Sequence, residues 1–122
     1  MPDPNFVILY VDNPPASAAF YGRLLGHPVL ESSPTFAMLP LREGTMLGLW
    51  SRHTVAPAAE AAGGGMEVAF TVGAANDVDA THARWRDLGL PILQAPTDMD
   101  FGRTFVALDP DRHRLRVFAP GA

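Results

Sequence analysis

The hydrophobic residues of this chain fall into short runs separated by turn residues, and the order of these runs predicts a first set of strands and a helix. The apolar run Phe6–Val11 is typical of a buried strand. Residues 16–25 carry apolar side chains at helical spacing, and Gly26 favours the end of that helix. Three strand candidates follow, at residues 29–30, 36–39 and 46–50. With a hairpin turn at residues 42–44, the first half is predicted to be β-α-β-β-β.

The second half of the chain repeats this order. The segments LLGHPVL, from Leu24, and DLGLPIL, from Asp87, align with an offset of 87 − 24 = 63 residues. A strand is predicted at residues 66–72 and a helix at residues 78–88. We therefore predict one α+β domain of tandem βαβββ modules. Its parts are module one at about residues 5–51, a glycine-rich linker at about 52–65 and module two at about 66–119. A ferredoxin-like βαββαβ arrangement is the alternative.

The most pronounced strand signal lies in residues 101–118, FGRTFVALDPDRHRLRVF. The turn residues Asp109, Pro110 and Asp111 separate two apolar strand segments, which predicts a hairpin. In the second segment Arg114 and Arg116 alternate with apolar residues, so both guanidinium groups are expected on one face.

Composition narrows the classes of function. Nine arginines and no lysine oppose thirteen acidic residues, and a net charge of −4 argues against a nucleic-acid partner. The absence of cysteine excludes disulfides, thiolate ligands and cysteine nucleophiles. There is no apolar run of the roughly 20 residues that a membrane span needs, and the first residues do not have the pattern of a signal peptide. We expect a cytoplasmic protein without a membrane partner.

Catalytic signatures are weak in the sequence. The four histidines, at positions 27, 53, 82 and 113, show no i, i+4 pair and no shared strand face. Glycines 63–65 lie in the predicted linker rather than at a strand–helix junction, where a phosphate loop would be found. Composition does not exclude a Ser-His-Asp arrangement, but no nucleophile-elbow signature supports one.

Several short motifs resemble those of the vicinal oxygen chelate superfamily, which includes glyoxalase I, extradiol dioxygenases, and bleomycin and mitomycin resistance proteins. The matching residues are Val11-Asp12, Phe20-Tyr21, Leu25-Gly26 and Asp109-Pro110-Asp111. More narrowly, LYVDN, LGLWS, FGRTF and DPDRHRLRV look like segments of the phenazine-antibiotic resistance proteins of that superfamily. The resemblance implies that the two modules curl into a cup, usually completed by a dimer partner, which holds a metal or a ligand.

The resemblance also implies where a metal would bind, with one ligand from each of four strands. Carried over by position, these ligands fall on Asn5, near Gly48, and on Glu67 and Arg116. Only Glu67 is suited to a divalent ion, since Gly48 has no side chain and Arg116 places a fixed positive charge at the site. We therefore expect no metal and no other cofactor.

Without a metal, the cup is predicted to recognise a ligand. Trp50 and Gly48 share a strand face, and an indole beside a flat void at Gly48 suits stacking on a planar heteroaromatic molecule. Arg103 and Arg116 could grip an anion, although Glu67 and Arg116 could instead form a salt bridge with each other. The predicted ligand-binding residues are Trp50, Gly48, Phe36, Met38, Phe101, Arg103, Arg116 and Glu67.

These observations favour a homodimeric binding protein that sequesters a planar aromatic antibiotic, phenazine-like, in a metal-free cup at the dimer interface. The alternative is a metal-dependent lyase or dioxygenase of the glyoxalase type. A third possibility is a relative that binds another small metabolite. Whether the protein is an enzyme is left open by the residues, which favour binding over catalysis.

Overall fold

A computed structural model of the chain describes residues 2–121, which form eight strands and two helices. In chain order these are β1 (Phe6–Val11), α1 (Pro14–Leu25), β2 (Glu31–Ser32), β3 (Phe36–Pro40), β4 (Met46–Ser51), β5 (Glu67–Thr71), α2 (Ala75–Asp87), β6 (Ile92–Met99), β7 (Gly102–Leu108) and β8 (Arg114–Pro120). Two compact units result, one ending at Ala62 and the other beginning at Gly63, a boundary that falls within the predicted linker. Each unit has the order βαβββ, so the predicted α+β fold is confirmed and the ferredoxin-like alternative is wrong.

The first unit is built on a four-stranded sheet, sheet 1, with the order β1-β4-β3-β2. The pair β1–β4 is parallel and the other pairs are antiparallel. Helix α1 begins after Asn13, whose side-chain Oδ1 accepts a hydrogen bond from the Ala16 N–H at 3.1 Å, and ends at Gly26 in the left-handed conformation. It covers one face of the sheet, where the core side chains are Leu9, Val11, Tyr21, Leu39, Leu47 and Leu49.

The second unit has the same construction. Sheet 2 has the order β5-β8-β7-β6, with β5 and β8 parallel. Helix α2 packs on one face, where the Trp85 ring makes edge-to-face contacts with Phe70 and Phe105 at centroid distances of 5.2 and 5.4 Å. Trp85 is therefore a core residue, as its helical spacing predicted.

Three local predictions need correction. Strand β2 lies at Glu31–Ser32 rather than at residues 29–30, because Leu30 only begins the pairing by donating its N–H to the Met38 carbonyl. Helix α2 begins at Ala75, before the predicted residue 78, because its polar first turn carries no apolar signal. Strand β1 is buried on one face only, because Leu9 and Val11 point into the core while Phe6, Ile8 and Tyr10 alternate with buried positions and are exposed. Neither helix among residues 2–121 is long and apolar enough to cross a membrane.

Candidate functional site

Sheet 1 carries a band of aromatic and apolar side chains on the face that α1 leaves uncovered. Strand alternation directs the buried residues towards α1 and the others towards the opposite face. We call this the aromatic face; its residues are Phe6, Ile8, Tyr10, Phe36, Met38, Met46, Gly48 and Trp50. The predicted sharing of one face by Gly48 and Trp50, with Leu47 and Leu49 buried on the other, is confirmed.

Strand register places three aromatic residues side by side across this face. Tyr10 of β1 pairs with Trp50 of β4, and Trp50 pairs with Phe36 of β3. The rings of Phe36 and Trp50 are 6.1 Å apart at an interplanar angle of 88°. We call Tyr10, Trp50 and Phe36 the aromatic row. It offers both ring faces and ring edges to a flat molecule.

The space over Gly48 is filled by rings from both neighbouring strands. A Cβ atom at Gly48 would lie 2.6 Å from Cε1 of Phe6 and 3.1 Å from Cζ of Phe36. The prediction of a flat void at this position is therefore wrong. The space is filled because of the strand register: β1 directs the ring of Phe6, and β3 the ring of Phe36, over the Gly48 backbone.

The outer edge of the aromatic face is open to solvent. Phe6, Ile8 and Tyr10 are 40%, 41% and 41% exposed. Contiguous exposed apolar surface of this kind marks sites of interaction with ligands or other proteins. Sequence reasoning missed Phe6 and Tyr10, although their alternation with Leu9 and Val11 was the signal that could have revealed them.

Sheet 2 carries a polar cluster around Arg116 on the face that points away from α2. The Arg116 Nε donates to Oε1 of Glu67 at 2.8 Å, and Nη2 donates to Oε2 at 2.9 Å. The hydrogen bonds and charge of Arg116 hold the pKa of the Glu67 carboxyl below its usual value, and Glu67 raises the pKa of Arg116. The salt bridge predicted as an alternative use of these two residues is therefore present.

Two further residues complete the coordination of the Arg116 guanidinium. Its Nη1 donates to Oγ1 of buried Thr104 at 3.1 Å and to Oε1 of Gln94 at 3.4 Å. The Thr104 hydroxyl in turn donates to the Val117 carbonyl at 2.9 Å. We call Glu67, Gln94, Thr104 and Arg116 the Arg116 cluster. Four of the five guanidinium N–H groups are engaged, so the side chain is held in one orientation.

The Arg116 cluster does not fit a divalent metal. Both carboxylate oxygens of Glu67 accept hydrogen bonds from Arg116, and the guanidinium keeps a positive charge against them. Within residues 2–121, no group of three or more histidine, aspartate or glutamate side chains is arranged to hold an ion. The histidines are used elsewhere: His27 Nδ1 lies 2.7 Å from the Pro40 carbonyl oxygen, and His53 Nε2 lies 2.7 Å from Oδ1 of Asp12.

Arg103 lies on the other face of sheet 2 from Arg116. Its neighbour Thr104 shares the Arg116 face, so alternation turns Arg103 towards α2. There its Nε donates to Oδ1 of Asp79 at 3.0 Å, and its Nη1 donates to Oδ1 of Asp98 at 3.0 Å. The two arginines predicted to bind an anion are thus separated by the sheet.

The remaining predicted residues divide between the two units. Trp50, Gly48, Phe36 and Met38 lie together on the aromatic face of the first unit. In the second unit, the Phe101 ring packs edge-to-face on Phe118 at 5.9 Å. Sequence reasoning missed Gln94 and Thr104 as site residues of this unit. Thr104 lies within the FGRTF motif, but only the pairing of β6, β7 and β8 brings it and Gln94 to Arg116.

The fold and the sequence together define the class of this protein. The profile of the glyoxalase/bleomycin resistance protein/dioxygenase superfamily matches residues 4–117, and the chain belongs to that family. Solved structures agree with this assignment. A glyoxalase/bleomycin resistance protein/dioxygenase from Nocardioides is 26% identical with a TM-score of 0.81, covering 98% of this chain and 84% of that one.

Two further relatives stand out, one by its high sequence identity and the other by its functional name. A protein of Agrobacterium tumefaciens, whose solution structure was determined by NMR, is 56% identical with a TM-score of 0.91, and the match covers 100% of both chains. The phenazine antibiotic resistance protein EhpR of Enterobacter agglomerans is 27% identical over 117 residues, which cover 93% of this chain and 89% of the relative. The chain is thus similar over nearly its whole length to an antibiotic resistance protein.

Proposed function

We propose that this protein binds a planar aromatic antibiotic of the phenazine type and sequesters it without changing it. The observation that carries the proposal is the aromatic row, in which exposed Tyr10 and half-buried Trp50 and Phe36 lie side by side on the sheet face that α1 leaves uncovered. The similarity to a phenazine antibiotic resistance protein supports the same ligand class.

The chemistry of the aromatic face suits such a ligand. A tricyclic heteroaromatic molecule can cover several rings at once, and each well-placed aromatic contact contributes about 0.5–1.5 kcal/mol beyond the burial of apolar area. Met38 and Met46 add polarisable side chains that adapt to a flat surface. Binding of this kind needs no bond to be made or broken in the ligand.

The proposal includes a metal-free mode of binding. Its support is the Glu67–Arg116 pair, in which a guanidinium takes both oxygens of the single metal-suited carboxylate that the resemblance indicated. Elemental analysis of the purified protein, before and after addition of Ni²⁺, Zn²⁺, Mn²⁺ or Fe²⁺, tests this point. A tightly bound stoichiometric ion together with activity on hemithioacetals would support a glyoxalase-type lyase instead.

We further propose that the protein acts as a cytoplasmic homodimer. Strand β1 is an edge strand, and its exposed side chains Phe6 and Ile8 form an apolar strip that a second copy could cover, which would place the ligand on Tyr10 at the dimer interface. Light scattering after size-exclusion chromatography is expected to give twice the chain mass of 13.1 kDa. A monomer at micromolar concentration would contradict the proposed dimer. It would not bear on ligand binding, which the following titration tests by itself.

Titration with phenazine-1-carboxylate, followed by tryptophan fluorescence, tests ligand binding. The Trp85→Phe variant keeps Trp50 as the single reporter, and saturable quenching is expected. For Trp50→Ala, equilibrium dialysis replaces fluorescence, and we expect affinity to fall about tenfold or more. Recovery of unchanged phenazine by chromatography distinguishes sequestration from catalysis. Absence of saturable binding, or equal affinity of the folded Trp50→Ala variant, would overturn the proposal.

A further inference from the structure

The segment after β4 is built onto the first unit, although the sequence predicts only a linker there. The Arg52 N–H donates to the Val11 carbonyl at 2.8 Å, and the Val55 N–H donates to the Ser51 carbonyl at 3.0 Å. The Val55 side chain is 6% exposed, and His53 bonds to Asp12 at the end of β1. Residues 52–55 are therefore anchored to sheet 1, and they set the position at which the chain continues into residues 56–61.

The next residues form one wall of a pocket beside Tyr10. Its volume is about 450 Å³, and its lining residues are Tyr10, Pro57, Ala58, Ala59, Glu60 and Ala61. The pocket is open to solvent rather than enclosed, so it would hold one part of a ligand rather than the whole of it. Tyr10 belongs both to this pocket and to the aromatic row, so the pocket continues the aromatic row at the edge of the sheet.

The charge of this pocket is negative. Glu60 is the one charged residue in its lining. Glu60 is exposed, and within residues 2–121 its carboxylate forms neither a hydrogen bond nor a salt bridge. Arg52 and His53, the basic residues nearest to Glu60 in sequence, both contact Oδ1 of Asp12, at 3.5 and 2.7 Å. The rest of the wall, apart from Tyr10, consists of proline and alanine, which offer apolar contact and no competing charge.

We propose that this pocket is a subsite for a positively charged substituent or ring of the planar ligand. The flat part of the ligand stacks on Tyr10 in line with the aromatic row, and its cationic group pairs with the Glu60 carboxylate. The tyrosine ring adds a cation–π attraction to the same group. This inference rests on the proposed function and narrows its ligand class from planar aromatics in general to those that carry positive charge.

The test compares two probes that share the phenazine ring system and carry opposite charges: safranin, an N-phenyl aminophenazinium cation, and phenazine-1-carboxylate. Because safranin also carries further substituents, the effect of Glu60→Gln on each probe isolates the contribution of charge. Wild-type protein is expected to bind safranin at least fivefold more tightly than phenazine-1-carboxylate. Glu60→Gln is expected to weaken safranin binding about fivefold, as the loss of one exposed charge pair would, and to leave phenazine-1-carboxylate unchanged or tighter. Glu43→Gln, which removes an exposed carboxylate from the hairpin turn, is the matched control and is expected to change neither affinity.

The outcomes separate this inference from the proposed function. Binding of phenazine-1-carboxylate that depends on Trp50, combined with equal safranin affinities of wild type and Glu60→Gln, overturns the subsite and leaves the proposed function standing. Binding of safranin that depends on Glu60, with no dependence of either probe on Trp50, supports the pocket and overturns the stacking site. A fall in safranin affinity in Glu43→Gln as large as in Glu60→Gln shows general attraction to an acidic protein and also overturns the subsite.

Discussion

Glu67 and Arg116, 49 residues apart in the chain, are joined by two parallel hydrogen bonds of 2.8 and 2.9 Å between carboxylate and guanidinium. They lie on the neighbouring strands β5 and β8, and Thr104 and Gln94 hold the other side of the guanidinium. The resemblance to metal-dependent relatives places metal ligands at both positions. Here the guanidinium of Arg116, which is always charged, binds both oxygens of the Glu67 carboxylate. The negative charge of Glu67 is therefore balanced without a metal ion.

The Glu67–Arg116 pair is expected to make stability depend on pH. Arg116 holds the folded-state pKa of Glu67 below the ordinary value of 4.5. The pair therefore stabilises the folded protein fully above pH 4.5, and this stabilisation is lost as the pH falls through the lowered folded-state pKa. We expect Glu67→Gln to lower the free energy of unfolding by about 1 kcal/mol at pH 7, since both side chains are partly exposed. Urea denaturation at pH 7 and pH 3 measures the difference between variant and wild type. A gap as large at pH 3 as at pH 7 would contradict this account; Glu43→Gln serves as the control without a salt bridge.

Arg103 is expected to matter for stability and not for ligand binding. Its guanidinium bridges Asp79 of α2 and Asp98 of β6 on the face of sheet 2 opposite to Arg116, and these carboxylates raise its pKa. Arg103→Met should therefore lower the Tm slightly while the affinity for either phenazine probe stays at the wild-type value. Arg84→Met, which removes an exposed arginine of α2, is the control for loss of charge. A specific loss of affinity in Arg103→Met would restore the original prediction that this residue contacts the ligand.

The buried Thr104 hydroxyl is expected to contribute more to the free energy of unfolding than an exposed threonine hydroxyl does. It donates to the Val117 carbonyl and accepts from Arg116, and its side chain is 0% exposed. Thr104→Val keeps the shape and removes both bonds, which should lower the free energy of unfolding by about 1–2 kcal/mol. Chemical denaturation should show a much smaller effect for Thr97→Val, on the exposed strand β6. Equal effects at the two positions would mean that the Arg116 cluster does not stabilise the sheet.

Gly102 of the FGRTF motif is expected to tolerate no side chain. Its φ angle is 136°, and a Cβ atom there would collide with the carbonyl oxygen of Ala119 and lie 2.7 Å from the Gly121 nitrogen. Since these are backbone atoms that cannot move aside, Gly102→Ala should cost about 3 kcal/mol or more. A Cβ at Gly65 meets no heavy atom within 4 Å, so Gly65→Ala is the control. Thermal unfolding compares the two, and a Gly102→Ala protein as stable as the control would refute the steric argument.

The sequence by itself determined the repeated βαβββ order, the bounds of β1, the C-terminal end of α1, and which residues of β4 and β8 share a face. These features depend on local periodicity and helix capping, which involve only residues close together in the sequence. The start of α1 at Pro14, two residues before the predicted one, was not determined. The sequence also identified Glu67 and Arg116 as possible partners, through resemblance rather than through pattern.

Only the tertiary structure decided the neighbours of those residues. The pairing of β1 with β4 brings Tyr10 beside Trp50 and Phe6 over Gly48, and it shows that β1 is an edge. The packing of α2 gives Arg103 its partner Asp79, and the residues that follow the anchored segment 52–55 line the pocket beside Tyr10. Such contacts depend on register between segments distant in the chain, and a register cannot be read from the composition of either segment alone.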